Sequence, residues 1–321
     1  MSLPRVLAAC LSPSGPRARL SVLIFHRVLP RSDPLFPGEM DEPGFDRLLT
    51  WLGSSFNVLP LDQAIARLQA GSLPARAASI TFDDGYADNA TVALPLLQRH
   101  GMQATFFIAS GYLDGGRMWN DTVIESIRGF SGPLLDLQEL SLGAHHLAAD
   151  EDRRRAIDHV LPRIKHLAPA RRQAVVEQLA AISRVHLPDD LMMSSDQVRL
   201  LRDAGMQIGG HTFSHPILNA LDDEEARDDI VRGKHHLEAI LGTRVDLFAY
   251  PNGKPGSDYS ARHADMVRAA GFTAAVSTSP GAARGGGDVF QLPRFTPWDR
   301  TPLRFGLRMV DNLRSTGPVA I

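Results

Sequence analysis

The spacing of hydrophobic and polar residues along the chain predicts short buried strands that alternate with amphipathic helices. Seven segments are rich in apolar and β-branched residues over a few positions and are bounded by polar or turn residues, as buried strands are. They lie near residues 21–25, 78–82, 103–109, 206–210, 245–250, 273–277 and 289–293. Strand and helix in alternation favour an α/β fold with a parallel sheet.

Two of the intervening segments have apolar residues at spacings of three, four and seven, which places these residues on one helix face. The segments run from Phe45 to Leu52 and from Ala226 to Leu241. In the second, acidic residues from Asp222 to Glu225 favour a helix start, and Gly242 is typical of a left-handed cap. We therefore predict a helix in each segment.

The segment from about 114 to 193 interrupts this rhythm, because a charged run at Asp150–Arg155 leads into a long helical pattern through Ile182. We interpret it as a helical insertion. A single α/β barrel commonly takes about 250 residues, so the length of 321 residues does not require two domains. We expect an N-terminal extension at 1–20, a barrel with the insertion at 21–300, and a C-terminal helix or tail at 301–321.

Composition and charge exclude several classes of protein. The hydrophobic fraction of 44% and charged fraction of 22% are ordinary for a globular protein, and a net charge of -2 without a basic stripe argues against a nucleic-acid partner. The single cysteine, Cys10, forms no internal disulfide or thiolate cluster. No uncharged run approaches the ~20 residues of a membrane helix, and Val6–Leu11 is short for a secretory signal, so we expect no transmembrane segment and a cytoplasmic location.

Unusual polar residues follow the predicted strands. They are His26, Asp83, Asp84, His211 and Arg294, and Pro251 holds a similar position. In a parallel barrel such positions share the carboxyl-terminal face, where active sites of barrel enzymes lie. We expect these residues to converge.

Adjacent carboxylates stand in Thr81–Gly85, whose sequence is TFDDG. They leave the strand in different directions, so one can bind a cation while the other handles a proton. A polar Asp-Gly turn is the alternative. Two like charges beside a buried strand cost free energy unless something neutralises them, which favours a bound metal.

A pair of histidines four residues apart, His211 and His215, can reach one ion if the backbone turns helically. Imidazole and carboxylate donors suit zinc or a similar divalent metal. We interpret His211 and His215 as metal ligands because they occur together with Asp83 and Asp84, and not because of their spacing alone. The other histidines with no matching carboxylate fit ordinary polar roles; they are His100, His145, His146, His186, His235 and His236.

A third motif, Phe248–Gly253, is an apolar strand that ends in Pro-Asn-Gly. Such a tight turn either exposes backbone N–H groups to a developing oxyanion or is simply a turn.

Together, Thr81–Gly85, His211–His215 and Phe248–Gly253 resemble the polysaccharide deacetylase (NodB-homology) family in order and separation, over roughly residues 20–300. The resemblance implies a distorted (β/α)7, TIM-like barrel that hydrolyses N- or O-acetyl groups on sugars. It implies Asp83 as general base and Asp84, His211 and His215 as ligands of a divalent metal, with Zn²⁺ preferred. It further implies that the Asn252 N–H faces the oxyanion. Because the insertion falls between strands and all ligand candidates lie outside it, we also predict that residues about 114 to 193 shape substrate access without supplying a metal ligand.

This chain departs from the family pattern at two points. Ala249 stands where the third motif usually has an arginine, and we expect Arg294 to fill the same space and orient Asp83. The usual C-terminal histidine is absent, since His263 lies in a helical pattern. The strand that ends at His26 resembles the branch of the family that deacetylates poly-N-acetylglucosamine exopolysaccharides, where the acid comes from the N-terminal end. His26 is thus either the general acid or a strand-end residue bonded to neighbouring backbone.

The expected function is metal-dependent removal of acetyl groups from an N-acetylated oligo- or polysaccharide or its precursor, with release of acetate. Alternatives are an O-acetyl esterase or other amide hydrolase with the same site, and a non-catalytic carbohydrate-binding protein. Trp298 and Tyr250 are candidates for walls of a sugar pocket. The sequence does not indicate an oligomeric state.

Overall fold

Strands and helices alternate along the chain in the computed structural model, which describes residues 3–315. The strands are β1 (Arg19–Phe25), β2 (Asn57–Val58), β3 (Ala77–Phe82), β4 (Ala104–Ile108), β5 (Leu134–Asp136), β6 (Ala144–His146), β7 (Gln207–Gly210), β8 (Leu247–Ala249), β9 (Ala274–Val276) and β10 (Ala283–Arg284). The helices are α1 (Leu3–Leu11), α2 (Glu42–Ser55), α3 (Leu61–Gln69), α4 (Leu94–Arg99), α5 (Trp119–Gly129), α6 (Asp150–Lys165), α7 (Pro169–Ser183), α8 (Ser195–Asp203), α9 (Asp223–Leu241), α10 (Ala261–Ala269) and α11 (Pro302–Arg314).

The described residues group into two compact units. The first contains the described residues up to Arg31, then Met40–Leu113, and the described residues from Met193 onwards. The second contains Ser32–Glu39 and Asp114–Met192, and has its own apolar cluster built largely from α5, α6 and α7.

The first unit is built on a curled sheet of the distorted (β/α) barrel type, with strand order β10-β1-β3-β4-β7-β8-β9 and β2 beside β3. Within this sheet all neighbouring strands pair in parallel except β10, which is antiparallel to β1. β5 and β6 form a separate antiparallel pair in the second unit. All residues of β3 and β4 are buried, as expected of parallel strands covered on both faces. The register aligns Phe82 with Phe25, so β1 and β3 end together, and it aligns Ile108 with Gly210, so β4 and β7 end together.

The strand predicted near 289–293 is wrong as a regular strand, whereas the other six coincide with β1, β3, β4, β7, β8 and β9. Leu292 makes one isolated bridge to β9, and Phe295 makes another to β1. The Asp288 side chain accepts the Phe290 N–H and starts a turn, and Pro293 has no N–H to donate. The segment 289–295 therefore closes the gap between β9 and β1 as an irregular segment, with backbone hydrogen bonds to Ala275 and Ser277 on one side and to Val22 and Ile24 on the other.

Helix predictions are confirmed for α2 and α9. Phe45, Leu48, Leu49 and Leu52 are buried on α2. Asp222 caps α9 in a capping box with Glu225, and Gly242 ends that helix with φ 68°.

At the chain ends, the predicted extension at 1–20 contains α1, and the predicted C-terminal helix or tail contains α11. Residues 1–2 and 316–321 of those two predictions lie outside the described residues. No helix within residues 3–315 is both long and apolar enough to cross a bilayer.

Candidate metal and catalytic site

Polar residues meet where β1, β3 and β7 end. His26 follows Phe25, and Asp83 follows Phe82, which is its partner in the sheet. His211 follows Gly210, the partner of Ile108 at the end of β4. The parallel register thus brings these positions, far apart in sequence, to one edge of the sheet.

Three side chains form a compact set of metal donors. The Asp84 Oδ1 atom lies 3.4 Å from His211 Nε2 and 3.3 Å from His215 Nε2. Asp84 Oδ1 is buried and has no hydrogen-bond partner among the described residues. Ligands bound to zinc at about 2.0–2.2 Å in a tetrahedron stand roughly 3.3–3.6 Å apart. The spacing and the unsatisfied oxygen therefore fit a divalent metal held by Asp84, His211 and His215. Each of these residues offers one ligand atom, and the three atoms lie within 4.8 Å of one another.

The orientation of His211 is fixed by a backbone hydrogen bond. Its Nδ1 lies 2.7 Å from the carbonyl oxygen of Ala249, which can only accept, so Nδ1 carries the proton. Nε2 is then left with a free electron pair toward Asp84. Ala249, the position of the missing family arginine, contributes to the site through its main chain.

Unfavourable backbone conformations concentrate at the motifs. Asp84, Thr212, His215 and Asn252 have φ of 77°, 63°, 53° and 57°. A positive φ is unusual for non-glycine residues, and for β-branched Thr212 it is a real outlier. Strain of this kind persists only where the surroundings impose it and is concentrated at functional sites.

The loop that carries His215 is held from α9. The Asp229 carboxylate accepts hydrogen bonds from the Phe213 and Ser214 backbone N–H groups and from the Ser214 hydroxyl. Gly233 lets α9 approach this loop, because a Cβ there would stand 2.5 Å from the Thr212 carbonyl oxygen. The loop conformation that turns His215 toward Asp84 thus depends on α9.

Asp83 is buried against Arg294, the fully buried residue of the closing segment 289–295. Arg294 donates from Nη1 to Oδ1 and from Nη2 to Oδ2 of Asp83, each at 2.6 Å. Arg294 also donates from Nε to the Ser277 carbonyl and from Nη1 to the Thr81 hydroxyl. This bidentate pair orients Asp83, whose Oδ2 lies 4.0 Å from His211 Nε2.

Both carboxylates are held in the ionised form. Burial alone would raise the pKa of Asp83, but Arg294 and His211 outweigh it and lower that pKa. Burial would also raise the pKa of Asp84, yet His215 and His211 hold it well below its ordinary value. His26 makes a smaller contribution to the lowered pKa of both carboxylates.

His26 is exposed, and the backbone around it is fixed from the segment after β3. Asn89 donates from Nδ2 to the His26 carbonyl at 2.9 Å. Asp88 accepts from the Val28 N–H and from Arg27 Nε. The imidazole ring of His26 is therefore accessible to a ligand, and the backbone of His26 is held in place by hydrogen bonds.

The Pro-Asn-Gly turn after β8 is stabilised by Thr278. The Thr278 hydroxyl donates to the Asn252 carbonyl at 2.7 Å, and the Thr278 N–H donates to the Gly253 carbonyl at 2.9 Å. Neither contact uses the Asn252 N–H. Gly253 has φ 72°, and a Cβ there would meet the Tyr250 carbonyl at 2.9 Å.

The prediction that Tyr250 lines a sugar pocket is wrong. Its side chain is fully buried, stacks on Tyr259 and donates to the Phe290 carbonyl. His263 is also fully buried, on α10. Trp298 is exposed.

Sequence reasoning missed the supporting residues Asp88, Asn89, Asp229 and Ser277. No motif links Asp229 to the loop it holds, since it lies 15 residues from Ser214 on another element. Asp88 and Asn89 lie just beyond the Asp83 motif, and their polarity in an otherwise apolar stretch was the available signal.

Comparisons with known proteins point to one family. The family model described as polysaccharide deacetylase matches residues 70–275. YxkH of Bacillus subtilis (strain 168), a candidate polysaccharide deacetylase, is 21% identical over 279 residues, which are 86% of this chain and 71% of YxkH.

Two solved structures share the fold over nearly their whole length. Streptococcus pyogenes deacetylase PplD, in complex with acetate, matches with a TM-score of 0.60 and 16% identity, over 92% of this chain and 98% of that one. IcaB from Ammonifex degensii matches with a TM-score of 0.58 and 19% identity, over 95% and 99%.

Proposed function

The chain belongs to the polysaccharide deacetylase family, and on that basis we propose a metal-dependent hydrolase that removes acetyl groups from N-acetylated sugars of a polysaccharide or its precursor. The hydrolase class follows from the family. The observation that carries the finer proposal is the donor triangle of Asp84, His211 and His215 beside the Asp83–Arg294 pair.

We assign the metal to Asp84, His211 and His215, and prefer Zn²⁺ because two imidazoles and one carboxylate suit it. When bound, the metal would supply Lewis-acid polarisation of the acetyl carbonyl and a lowered pKa of a nearby water.

Asp83 is the general base. Its lowered pKa keeps it ionised at neutral pH, and Arg294 fixes its direction, so it takes a proton as water attacks the acetyl carbon. The Asn252 N–H donates to the oxygen on which negative charge develops.

His26 is the general acid. An amide nitrogen leaves poorly unless it is protonated, and the exposed ring of His26 gives its proton to that nitrogen as the C–N bond breaks. Acetate and the free amino sugar are the products.

The test is acetate release from an N-acetylglucosamine oligomer by the purified chain, before and after chelation and after zinc is returned. We expect activity to disappear with the metal and to come back with zinc. Undiminished activity after complete metal removal would exclude metal dependence. Release only from an O-acetylated sugar would favour the esterase, and zinc binding without release from either substrate would favour a binding protein.

A further inference from the structure

Large apolar side chains that face solvent are concentrated on one part of the surface. Eight such residues are exposed within residues 3–315, and six of them lie on α1, on α11 or just before α11. The six are Leu3, Val6, Leu7, Trp298, Leu303 and Leu307. The other two, Leu134 and Leu200, lie elsewhere in the sequence, on β5 and α8.

The six residues belong to neighbouring elements. Gly306 of α11 contacts Pro4 of α1 so closely that a Cβ at 306 would stand 2.6 Å from the Pro4 side chain. Leu3, Val6 and Leu7 have the i, i+3, i+4 spacing of one helix face, and Leu303 and Leu307 are one turn apart. Trp298 and Leu307 line one depression. We call the six residues the α1–α11 face.

The charge around the α1–α11 face is positive, although the whole chain has a net charge of -2. α1 has one charged residue, Arg5. The segment 298–314 contains Arg300, Arg304, Arg308 and Arg314 against Asp299 and Asp311, so the two segments together carry five positive and two negative charges. Arg308 lies over the Trp298 ring at 4.3 Å and also pairs with Asp299.

We propose that the α1–α11 face seats the protein on the surface of an anionic phospholipid membrane. Apolar residues with a tryptophan enter the boundary between headgroups and acyl chains, and surrounding arginines attract anionic headgroups. A second copy of the chain is a poorer occupant, because two positively charged faces would repel each other. The binding is peripheral, since no described helix can span a bilayer.

One end of the face, at Trp298, lies toward the end of the sheet that carries the candidate site, whereas the last turn of α11 is bonded to the start of β1. Phe295 pairs with Leu23 in β1, in parallel, and Trp298 follows three residues later in the direction of the strand ends. His26 follows the same strand. A membrane on the α1–α11 face would therefore approach the carboxyl ends of the strands at Trp298.

The test is co-sedimentation of the full chain with vesicles of phosphatidylcholine alone and of phosphatidylcholine mixed with phosphatidylglycerol. We expect binding to the mixed vesicles that weakens with salt, and much weaker binding to phosphatidylcholine alone. Leu7→Glu and Leu307→Glu should each lower the partition coefficient at least about tenfold, because each removes a leucine from the lipid contact and adds a repelled charge.

Leu200→Glu is the matched control, since it changes an equally exposed leucine on α8 and should bind like the parent. Circular dichroism verifies that all variants are folded. The proposal is overturned if the parent binds mixed vesicles no better than Leu307→Glu does, or binds neutral vesicles equally well. A dimer in light scattering that Leu307→Glu abolishes, without vesicle binding, would instead assign the face to a second copy.

Discussion

Among single residues, the adjacent carboxylates Asp83 and Asp84 have opposite surroundings. Asp83 has both oxygens on Arg294, whereas Asp84 has one buried oxygen with no hydrogen bond, between two histidine Nε2 atoms. The backbone at Asp84 has a φ of 77°, and this conformation directs the Asp84 side chain away from that of Asp83. This geometry supports one positioned base and one ligand.

We therefore predict different losses for Asp84→Ala and Asp83→Asn. Asp84→Ala should lose the metal, because one of three donors is gone. Asp83→Asn should keep the metal and lose turnover by roughly 10²–10⁴-fold, the usual contribution of a general base. Metal content by mass spectrometry, set beside acetate release, separates the two. Stoichiometric metal in Asp84→Ala would contradict its assignment as a ligand.

We predict that His26→Ala retains the fold and the metal but loses roughly 10²–10⁴-fold in turnover on an N-acetyl substrate. An activated ester should be affected much less, since its leaving group departs as a stable anion. The amide-to-ester rate ratio measures this. Equal losses on both substrates would make His26 a positioning residue, and unchanged amide turnover would remove it from the mechanism.

Among the secondary-structure elements, two of the strands that were predicted correctly, β1 and β3, consist largely of apolar and β-branched residues. β1 and β3 are buried on both faces, so composition alone identifies them. The segment 289–295 is also rich in apolar residues and hydrogen-bonds to β9 and β1 through its backbone, but the turn at Asp288 and the missing N–H of Pro293 interrupt the continuous ladder of a regular strand. The hydrophobic pattern of a sequence indicates which segments are buried, whereas turn-forming residues and prolines determine whether such a segment hydrogen-bonds as a regular strand.

The predictable part of the site is the part contained in short motifs. Asp83, Asp84, His211 and His215 lie within two five-residue stretches. The bidentate contact of Arg294 joins residues 211 positions apart and depends on barrel closure, so the sequence could suggest it but not establish it. Asp229 holds the loop before His215 only because α9 packs against that loop, and no local sequence pattern predicts this packing.

We predict that His263 on α10 makes stability pH-dependent. Burial, with a smaller effect of Arg262, lowers its pKa to about 4, while Nδ1 accepts the Ser260 N–H and Nε2 is buried without a partner among the described residues. The folded state binds fewer protons than the unfolded state between pH 4 and 6.5. Stability should therefore fall as the pH is lowered through that window, by about 2 kcal/mol between pH 7 and 4.5.

Urea unfolding of His263→Gln tests this, because glutamine preserves the capping contact and does not titrate in that range. The variant should lose less stability than the parent between pH 7 and 4.5. An identical pH dependence in both proteins would exclude His263 as the source.

For the whole molecule, we predict that metal and folding are linked. A metal that binds only the folded state adds about 2.7 kcal/mol of stability at a free concentration 100-fold above its Kd. Zinc should raise the Tm of the metal-free chain by several degrees and should leave Asp84→Ala unchanged. His186→Ala, an exposed histidine outside the site, should retain the full shift. If zinc raised the Tm of Asp84→Ala as much as that of the parent, zinc would bind at another site.

The contact between Arg294 and Asp83 also fastens the irregular segment 289–295 to β3. Removing a charged catalytic group often stabilises an enzyme, yet here the loss of Asp83 would leave a buried guanidinium unpaired, at a cost of about 3–5 kcal/mol. A lineage that stopped using the proposed reaction would therefore not be free to replace Asp83 alone. Drift toward an inactive descendant would have to change positions 83 and 294 together, so conservation of Asp83 among relatives would record its structural role as well as its chemical one.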